Sequence, residues 1–287
     1  EAIKMIMEIH PKVFVFENVR AFMKTTCKDL SGDDMSISQS IEKNLAEYYN
    51  IFYKVINFKD YGVPASRPRT IVIGTCKSLK NISPLNLFPT RQHEITLREA
   101  IGDLPALSYG ETSPTDIYHS FREYPKPMEN WISDLKEGQS AFENKKTDRI
   151  PYRIDKNGNR VTNKGAYMGN KYRRLFWDKP CACITTRNDQ LASQDTIHPH
   201  DNRVSIRELM RLMTIPDSFC WIENTRSEQL LKTNELNIRR CIGEAVPTAI
   251  VHQIADNINT LLDFEDFVQV YTPVLNKEYL TDTSLCS

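Results

Sequence analysis

The sequence predicts an α/β protein: the closing half of a doubly wound sheet, joined to a region of irregular structure. Three observations carry this reading. Across the first 75 residues the hydrophobic pattern runs helix, strand, helix, strand, strand, the alternation that lays helices on a sheet. From about residue 78 to 200, Pro, Asn, Ser and charges are scattered and periodicity weakens. Helical spacing returns at 205–213 and 245–262.

Each element has its own signal. Ile3, Ile6, Met7 and His10 recur at helical spacing until Pro11 stops the run, because proline lacks the amide the helix needs. Lys12 to Glu17 is a short run of β-formers, read as a buried parallel strand ending in a carboxylate. Residues 38–50 read as a helix with Ile41, Leu45 and Tyr48 or Tyr49 on one side. Tyr53 to Phe58 reads as a strand, Lys59 to Pro64 as a turn, and Arg69 to Thr75 as a β-branched strand. The connection between these two strands is short, so they should pair antiparallel. Thr96 to Leu104 reads as a short helix with Thr96 as N-cap and Glu99 completing a capping box. Ser205 and Glu208 repeat that pattern over 205–213, with Pro216 as terminator. In 245–262, Ile250, Ile254, Ile258 and Leu261 share a face, and the tail from 263 is acidic and polar and is expected to be partly disordered.

With 287 residues, 40% of them hydrophobic, the chain can bury one large core or two moderate ones. No run approaches the ~18 apolar residues of a membrane helix, and no basic-plus-apolar leader precedes the first helix. Seven cysteines at irregular spacing do not form a disulfide framework, so reduced thiols and a cytoplasmic location are expected. The 37 basic and 37 acidic residues cancel, yet residues 145–179 hold eleven Lys and Arg against three Asp, a local charge of +8. Tyr152, Tyr167, Tyr172, Phe176 and Trp177 are interleaved there. Cations neutralise phosphates and aromatic rings pack on sugars and bases; the plainer alternative is a solvated Lys-rich surface. None of the ten glycines forms Gly-x-Gly and there is no Walker-type Gly-Lys-Ser or Gly-Lys-Thr, which argues against a motor or kinase. Cys181-x-Cys183 and His198-x-His200 lack the usual zinc-ligand spacing, and no metal is expected.

Four motifs occur in order: Phe16-Glu17-Asn18-Val19; Tyr61-Gly62-Val63-Pro64 leading to Arg67 and Arg69; Arg207-Glu208 leading through Arg211 to Pro216-Asp217; and Ile242-Gly243-Glu244-Ala245-Val246-Pro247. In this order they resemble the second half of the DNA cytosine-5 methyltransferases. The resemblance runs from residue 1 to about 262 and is weakest over about 105–172. It implies the C-terminal half of a doubly wound, Rossmann-like catalytic domain at 1–95, a smaller, irregular, mainly β target-recognition domain at 96–237, a helix returning to the catalytic domain at 238–262 and a tail at 263–287.

The resemblance also implies roles. Glu17 would hold the N3 and amino edge of a cytosine flipped from the duplex, which activates carbon 6. Arg69 would reach the base's O2 or the thiolate-adduct region, and Arg67 would hold backbone or phosphate. Asn18 would be a structural partner of neighbouring backbone. Gly243, Glu244, Ala245 and Val246 would line the S-adenosylmethionine pocket; the pattern's usual Asn is replaced by Glu244, and a Gln of the arginine motif by Ala65. Arg173, Arg174, Thr185, Thr186, Arg187 and Arg207 would serve double-stranded DNA, with the Arg207 helix organising the recognition region. The family's Gly-rich cofactor loop and Pro-Cys nucleophile loop should precede residue 1. Pro180-Cys181 stands at the wrong place to replace the latter. The expectation is therefore an enzyme that needs its N-terminal half or a complementary subunit, with restriction–modification as its setting and no membrane. A catalytically inactive DNA-binding or regulatory module and an RNA cytosine-5 methyltransferase remain the alternatives.

Overall fold

The computed structural model describes residues 1–108, 110–121, 126–162, 171–188, 197–200, 204–221 and 228–279. Lys164 and Tyr167 of the basic window, and 280–287 of the tail, lie outside the described residues. The chain forms two units interleaved in sequence: Glu1–Ile56, Pro68–Thr90 and Ile250–Ser287 make the first, Asn57–Arg67 and Arg91–Ala249 the second.

The first unit opens with α1 (Ala2–Ile9) and β1 (Val13–Val19), then the hairpin strands β2 (Thr26–Lys28) and β3 (Asp34–Ser36), α2 (Ile37–Leu45), β4 (Tyr49–Asn57) and β5 (Pro68–Cys76). The sheet order is β1-β5-β4. β5 is central because Thr70 to Thr75 are buried on both faces, which suits its β-branched run. The β4–β5 pair is framed by Lys77 N–H to the Tyr48 carbonyl at one end and Phe58 N–H to the Arg67 carbonyl at the other, the antiparallel arrangement the short connection predicts. β1 also pairs antiparallel with β5, from Val13↔Thr75 to Val19↔Arg69.

Ile6, Phe14, Met23, Ile41, Leu45, Tyr49 and Val72 form the core of this unit, each large side chain contributing about 1.5–3 kcal/mol by leaving water. Ser36 caps α2 in a capping box with Gln39. Asp29, in the β2–β3 loop, accepts from Ser40 Oγ (2.5 Å), Asn44 Nδ2 (2.6 Å) and Lys43 Nζ (2.8 Å), so one buried carboxylate ties that loop to α2. Those donors favour the ionised form and hold Asp29 far below the usual carboxylate range, the Lys43 bond first.

The second unit contains α3 (Leu97–Ile101), α4 (Lys126–Ile132), β6 (Tyr152–Ile154), β7 (Arg160–Thr162), α5 (Ile206–Leu212) and α6 (Glu228–Glu244); α7 (Thr248–Tyr279) starts here and continues into the first unit. α3 and α5 begin with the Thr96–Glu99 and Ser205–Glu208 capping boxes expected from sequence. The expected β character amounts, among the described residues, to the β6–β7 hairpin and isolated bridges, while helices supply the rest of the regular structure. Trp131, Ile132, Leu135, Ala141 and Ile197 form a core of their own, with Tyr152 and Tyr172 against it.

Three expectations are corrected. Among the described residues the strand through Glu17 pairs with β5 alone, antiparallel and half exposed, where a buried parallel strand was expected. Ile242-Gly243-Glu244 closes α6 rather than opening the last helix, and Ala245-Val246-Pro247 is the break before α7. α6 itself escapes the sequence pattern, because its 17 residues carry scattered Asn, Thr and charge. Nor does regular structure stop at residue 263: α7 runs to Tyr279.

Candidate functional site

In the first unit, Glu17 pairs with Ile71 and Val19 with Arg69 across the β1–β5 register. Side chains alternate along a strand, so Glu17, Val19, Arg69 and Ile71 share one face, with Arg69 diagonal to Glu17. Arg69 Nε lies 3.2 Å from Glu17 Oε1, both side chains being about four-fifths buried. Arg69 Nη1 also donates to the Pro68 carbonyl at 2.9 Å. Asn18 Oδ1 accepts from the Val19 amide at 2.9 Å, so its side chain bonds neighbouring backbone. Thr70 Oγ1 donates to the carbonyls of Val19 (3.2 Å) and Arg20 (3.3 Å), fixing the chain as it leaves the strand. The result is an oriented carboxylate beside a guanidinium. Such a pair can accept from an amine or protonated ring nitrogen and donate to a carbonyl oxygen at once.

In the second unit the geometry centres on Arg67, which is 3% exposed. Its amide donates to Asn57 Oδ1 at 2.8 Å, and Asn57 Nδ2 donates to Ser66 Oγ at 3.0 Å, so Asn57 braces both sides of the turn. Arg67 Nη1 donates to the Ile184 carbonyl (2.8 Å) and Nη2 to the Gly243 carbonyl (3.1 Å). Cys181 N–H donates to the Pro64 carbonyl (2.8 Å) and Ser66 N–H to the Cys181 carbonyl (2.7 Å). Asn188 Nδ2 donates to the carbonyls of Thr185 and Arg239, each at 2.8 Å. Three distant segments, 57–67, 181–188 and 239–243, are knotted by these bonds. Gly243 is required where they meet: a Cβ there would lie 2.4 Å from the Thr185 oxygen and 2.6 Å from the Thr186 nitrogen. Thr186 and Arg187 lie exposed on this knot and Thr185 half-buried. Cys181 is buried and its backbone is held on both sides.

The remaining arginines divide sharply. Arg207 is buried; it grips Asp116 through Nε (2.5 Å) and Nη2 (3.2 Å) and the Asp217 carbonyl through Nη1 (2.9 Å). Arg211 adds a forked pair to Asp217 and a bond to Asp103, and these bonds lower the Asp217 pKa, the Arg211 contribution first. Arg174 is also buried, with Nη1 on the His198 carbonyl (2.6 Å) and Nη2 on that of Ile132 (2.8 Å). Arg173 binds the Gly138 carbonyl and, at 3.1 Å, Glu143.

Beside Arg174 is a buried polar cluster that sequence did not signal. His119 Nδ1 lies 2.9 Å from Ser205 Oγ and its Nε2 2.8 Å from the Pro105 carbonyl, which can only accept. His198 Nδ1 accepts from the His200 amide at 3.2 Å, and its Nε2 is 3.3 Å from Glu208 Oε1. Burial, then repulsion by His200, Arg174 and His119, pushes His198 down to about 3. The imidazole is therefore neutral at pH 7, and its contact with Glu208 is a hydrogen bond donated by Nε2–H rather than an ion pair. Among the described residues no cluster of three or more His, Cys, Asp and Glu could hold a metal, and no helix is long and apolar enough to cross a membrane.

Residues 1–260 match the family model for C-5 cytosine-specific DNA methylases. The chain belongs to this family. The type II methyltransferase M1.HgaI of Avibacterium volantium is 30% identical over 266 residues, spanning 89% of this chain and 68% of that protein. M1.HphI of Haemophilus parahaemolyticus is 27% identical over 90% of this chain and 59% of its own length; M.DdeI of Desulfomicrobium norvegicum is 27% identical over 90% and 65%. The chain thus spans about two thirds or less of these relatives' length. Among solved structures, a DNA modification methyltransferase encoded within an E. coli prophage superposes with a TM-score of 0.60 at 19% identity, covering 91% of this chain and 72% of that one. The S. pombe Dnmt2 methyltransferase gives 0.50 at 15%, covering 88% and 67%. Both show the fold, a Rossmann-like mixed α/β methyltransferase fold.

The family's methyl donor is S-adenosylmethionine. Ala245 and Val246 are half-buried and follow directly on the end of α6, so they fit as an apolar wall for it. Gly243 is taken up by packing and by Arg67, and Glu244 pairs with Arg240 at 3.0 Å.

Proposed function

We propose that this chain carries the base-holding and DNA-recognising part of a DNA (cytosine-5)-methyltransferase that modifies a specific duplex sequence in restriction–modification. The observation that supports this most is the Glu17–Arg69 pair at the end of β1. In this reading a cytosine is extruded from the stack. Glu17 accepts from its exocyclic amine and shares a proton at N3, drawing electrons from carbon 6. Arg69 holds Glu17 in orientation and donates to the base's O2. S-adenosylmethionine, when bound, supplies the methyl group for carbon 5, and Ala245 and Val246 are the residues here that would line it. On this reading a cysteine thiolate adds at carbon 6, carbon 5 takes the methyl group as S-adenosylhomocysteine is released, a base removes the carbon 5 proton, and the cysteine leaves carbon 6 as thiolate.

That cysteine and the Gly-rich donor loop belong, on this proposal, to an N-terminal half or a complementary subunit. The open edge of β1 supports it: Val15 and Val19 are exposed there, as are Met5 and Ile9 on α1, an edge that natural proteins normally cover. Arg67 acts as a positioning residue. Arg173, Arg174 and Arg207 hold the recognition region in shape, while Thr185, Thr186 and Arg187 stand toward DNA.

The test is transfer of tritiated methyl groups to unmethylated duplex DNA, with the intact mass of every copurifying chain measured on the same sample. Activity that requires a longer product or a copurifying partner supports the proposal. Methylation by this chain alone overturns the division of labour, and DNA binding without methylation under any combination overturns the enzyme.

A further inference from the structure

The +8 charge of residues 145–179 is not one surface. Arg174 is buried on carbonyl oxygens, Arg149 is paired with Asp134 and Arg173 with Glu143, and Lys179 lies over the Phe176 ring at 4.2 Å. Among the described residues no ion pair engages Arg153 or Lys156 on the β6–β7 hairpin, and both are exposed. The hairpin register pairs Tyr152↔Thr162, Arg153↔Val161 and Ile154↔Arg160, so Tyr152, Ile154 and Arg160 share one face and Arg153 lies on the other. The root is anchored: Tyr152 meets Trp131 edge-on at 5.4 Å, and Arg160 stacks on Tyr152 at 4.5 Å. The tip is preformed: Asp155 Oδ1 accepts the amides of Asn157 (2.8 Å) and Asn159 (2.9 Å), and Gly158 sits at φ 81°, a left-handed turn position. Ile154, at 58% exposed, stands just behind the tip.

A two-stranded ribbon fits the DNA major groove, which is about 12 Å wide and 8.5 Å deep. The paired strands Tyr152–Ile154 and Arg160–Thr162 are short, and the 155–159 turn that joins them puts Ile154 and Lys156 at the free end of the ribbon. We infer that the β6–β7 ribbon is the sequence-reading element for duplex DNA, with Ile154 against the base edges, where a thymine methyl offers an apolar contact, and Arg153 and Lys156 on the flanking phosphates. Duplex RNA fits poorly because its major groove is too deep and narrow for side chains to read. A rigid tip lowers the ordering cost of binding.

This inference rests on the DNA-methyltransferase reading, and the experiment separates the two. Binding of the completed enzyme, this chain together with its N-terminal half or complementary subunit, to duplex DNA is measured across salt concentration, together with selection from a randomised duplex pool. Arg153→Ala with Lys156→Ala should lower the slope of log affinity against log salt by about 2, close to one for each phosphate no longer neutralised. Ile154→Ser should leave the salt slope unchanged and reduce the preference for the selected duplex over a scrambled one by about fivefold or more. All three side chains are exposed, and unchanged circular dichroism and melting verify the fold. Lys145→Ala with Lys146→Ala is the control outside the ribbon and should leave sequence preference intact. Wild-type protein that binds no duplex DNA overturns both readings. Wild-type binding that the ribbon variants leave unaltered, or a loss confined to duplex RNA, overturns this inference alone.

Discussion

Glu17 on β1 and Arg69 on β5 stand diagonally across an antiparallel pair, their side chains meeting at 3.2 Å. Both side chains are about four-fifths buried, so neutralising one leaves its partner's charge without a counter-ion and costs stability. Glu17→Gln keeps the shape and loses the charge. It should lower the melting temperature while the protein stays folded, and reduce methyl transfer by the completed enzyme by about 10²–10⁴, the scale of one acid–base group. Undiminished transfer would remove Glu17 from the chemistry and favour a binding module.

Gly243→Ala should destabilise the second unit by about 1–3 kcal/mol, the usual cost of forcing an atom into packed space, because what it meets is the Thr185–Thr186 backbone rather than a pliable side chain. Urea unfolding measures it. A neutral result would mean that 185–186 and 243 are not in contact in solution.

Arg67→Leu removes donors from the carbonyls of Ile184 and Gly243 and should cost on the order of 3 kcal/mol, since charged hydrogen bonds to buried acceptors disappear together. The same urea curves serve. A variant that is normally stable yet fails only in DNA binding would instead make Arg67 a phosphate ligand.

His198 gives a pH dependence. Its folded pKa, about 3, lies below the ordinary 6.5, so the unfolded chain binds the extra proton. The stabilisation is complete above pH 6.5 and is lost as pH falls toward 3, with a slope approaching about 1.4 kcal/mol per pH unit. Between about pH 6.5 and 5, before most carboxylates titrate, unfolding free energy should fall in the wild type and fall less in His198→Gln, which keeps a donor toward Glu208. Parallel curves would show that the fold does not depress the His198 pKa.

Local patterns were legible wherever the cause is local. The two capping boxes, the turn through Gly62 and the β-branched run of β5 act within a few residues, and each is where the sequence places it. The Glu17–Arg69 pair was legible only through motif order, since nothing near Glu17 names a partner on another strand. Burial of arginine was not legible. Arg174 and Arg207 look in sequence like cations for phosphate, yet their partners, Ile132, His198 and Asp116, lie 24 to 91 residues away. α6 stayed hidden because its buried residues, Leu231, Ile238 and Ile242, are too sparse to show a period.

The knot tying 57–67 to 181–188 and 239–243 has a consequence for biosynthesis. Arg67 and Gly243 are separated by 176 residues, and the first unit must wait longer still: Asn257 on α7 donates to the Phe88 carbonyl at 3.0 Å. Neither unit can complete itself while the ribosome is still making the middle of the chain. Pairings so distant in sequence slow closure and leave unfinished surfaces exposed in the meantime. The nascent chain should therefore depend on chaperones until translation has passed α7, and a stalled or truncated message should yield aggregate rather than a smaller working domain.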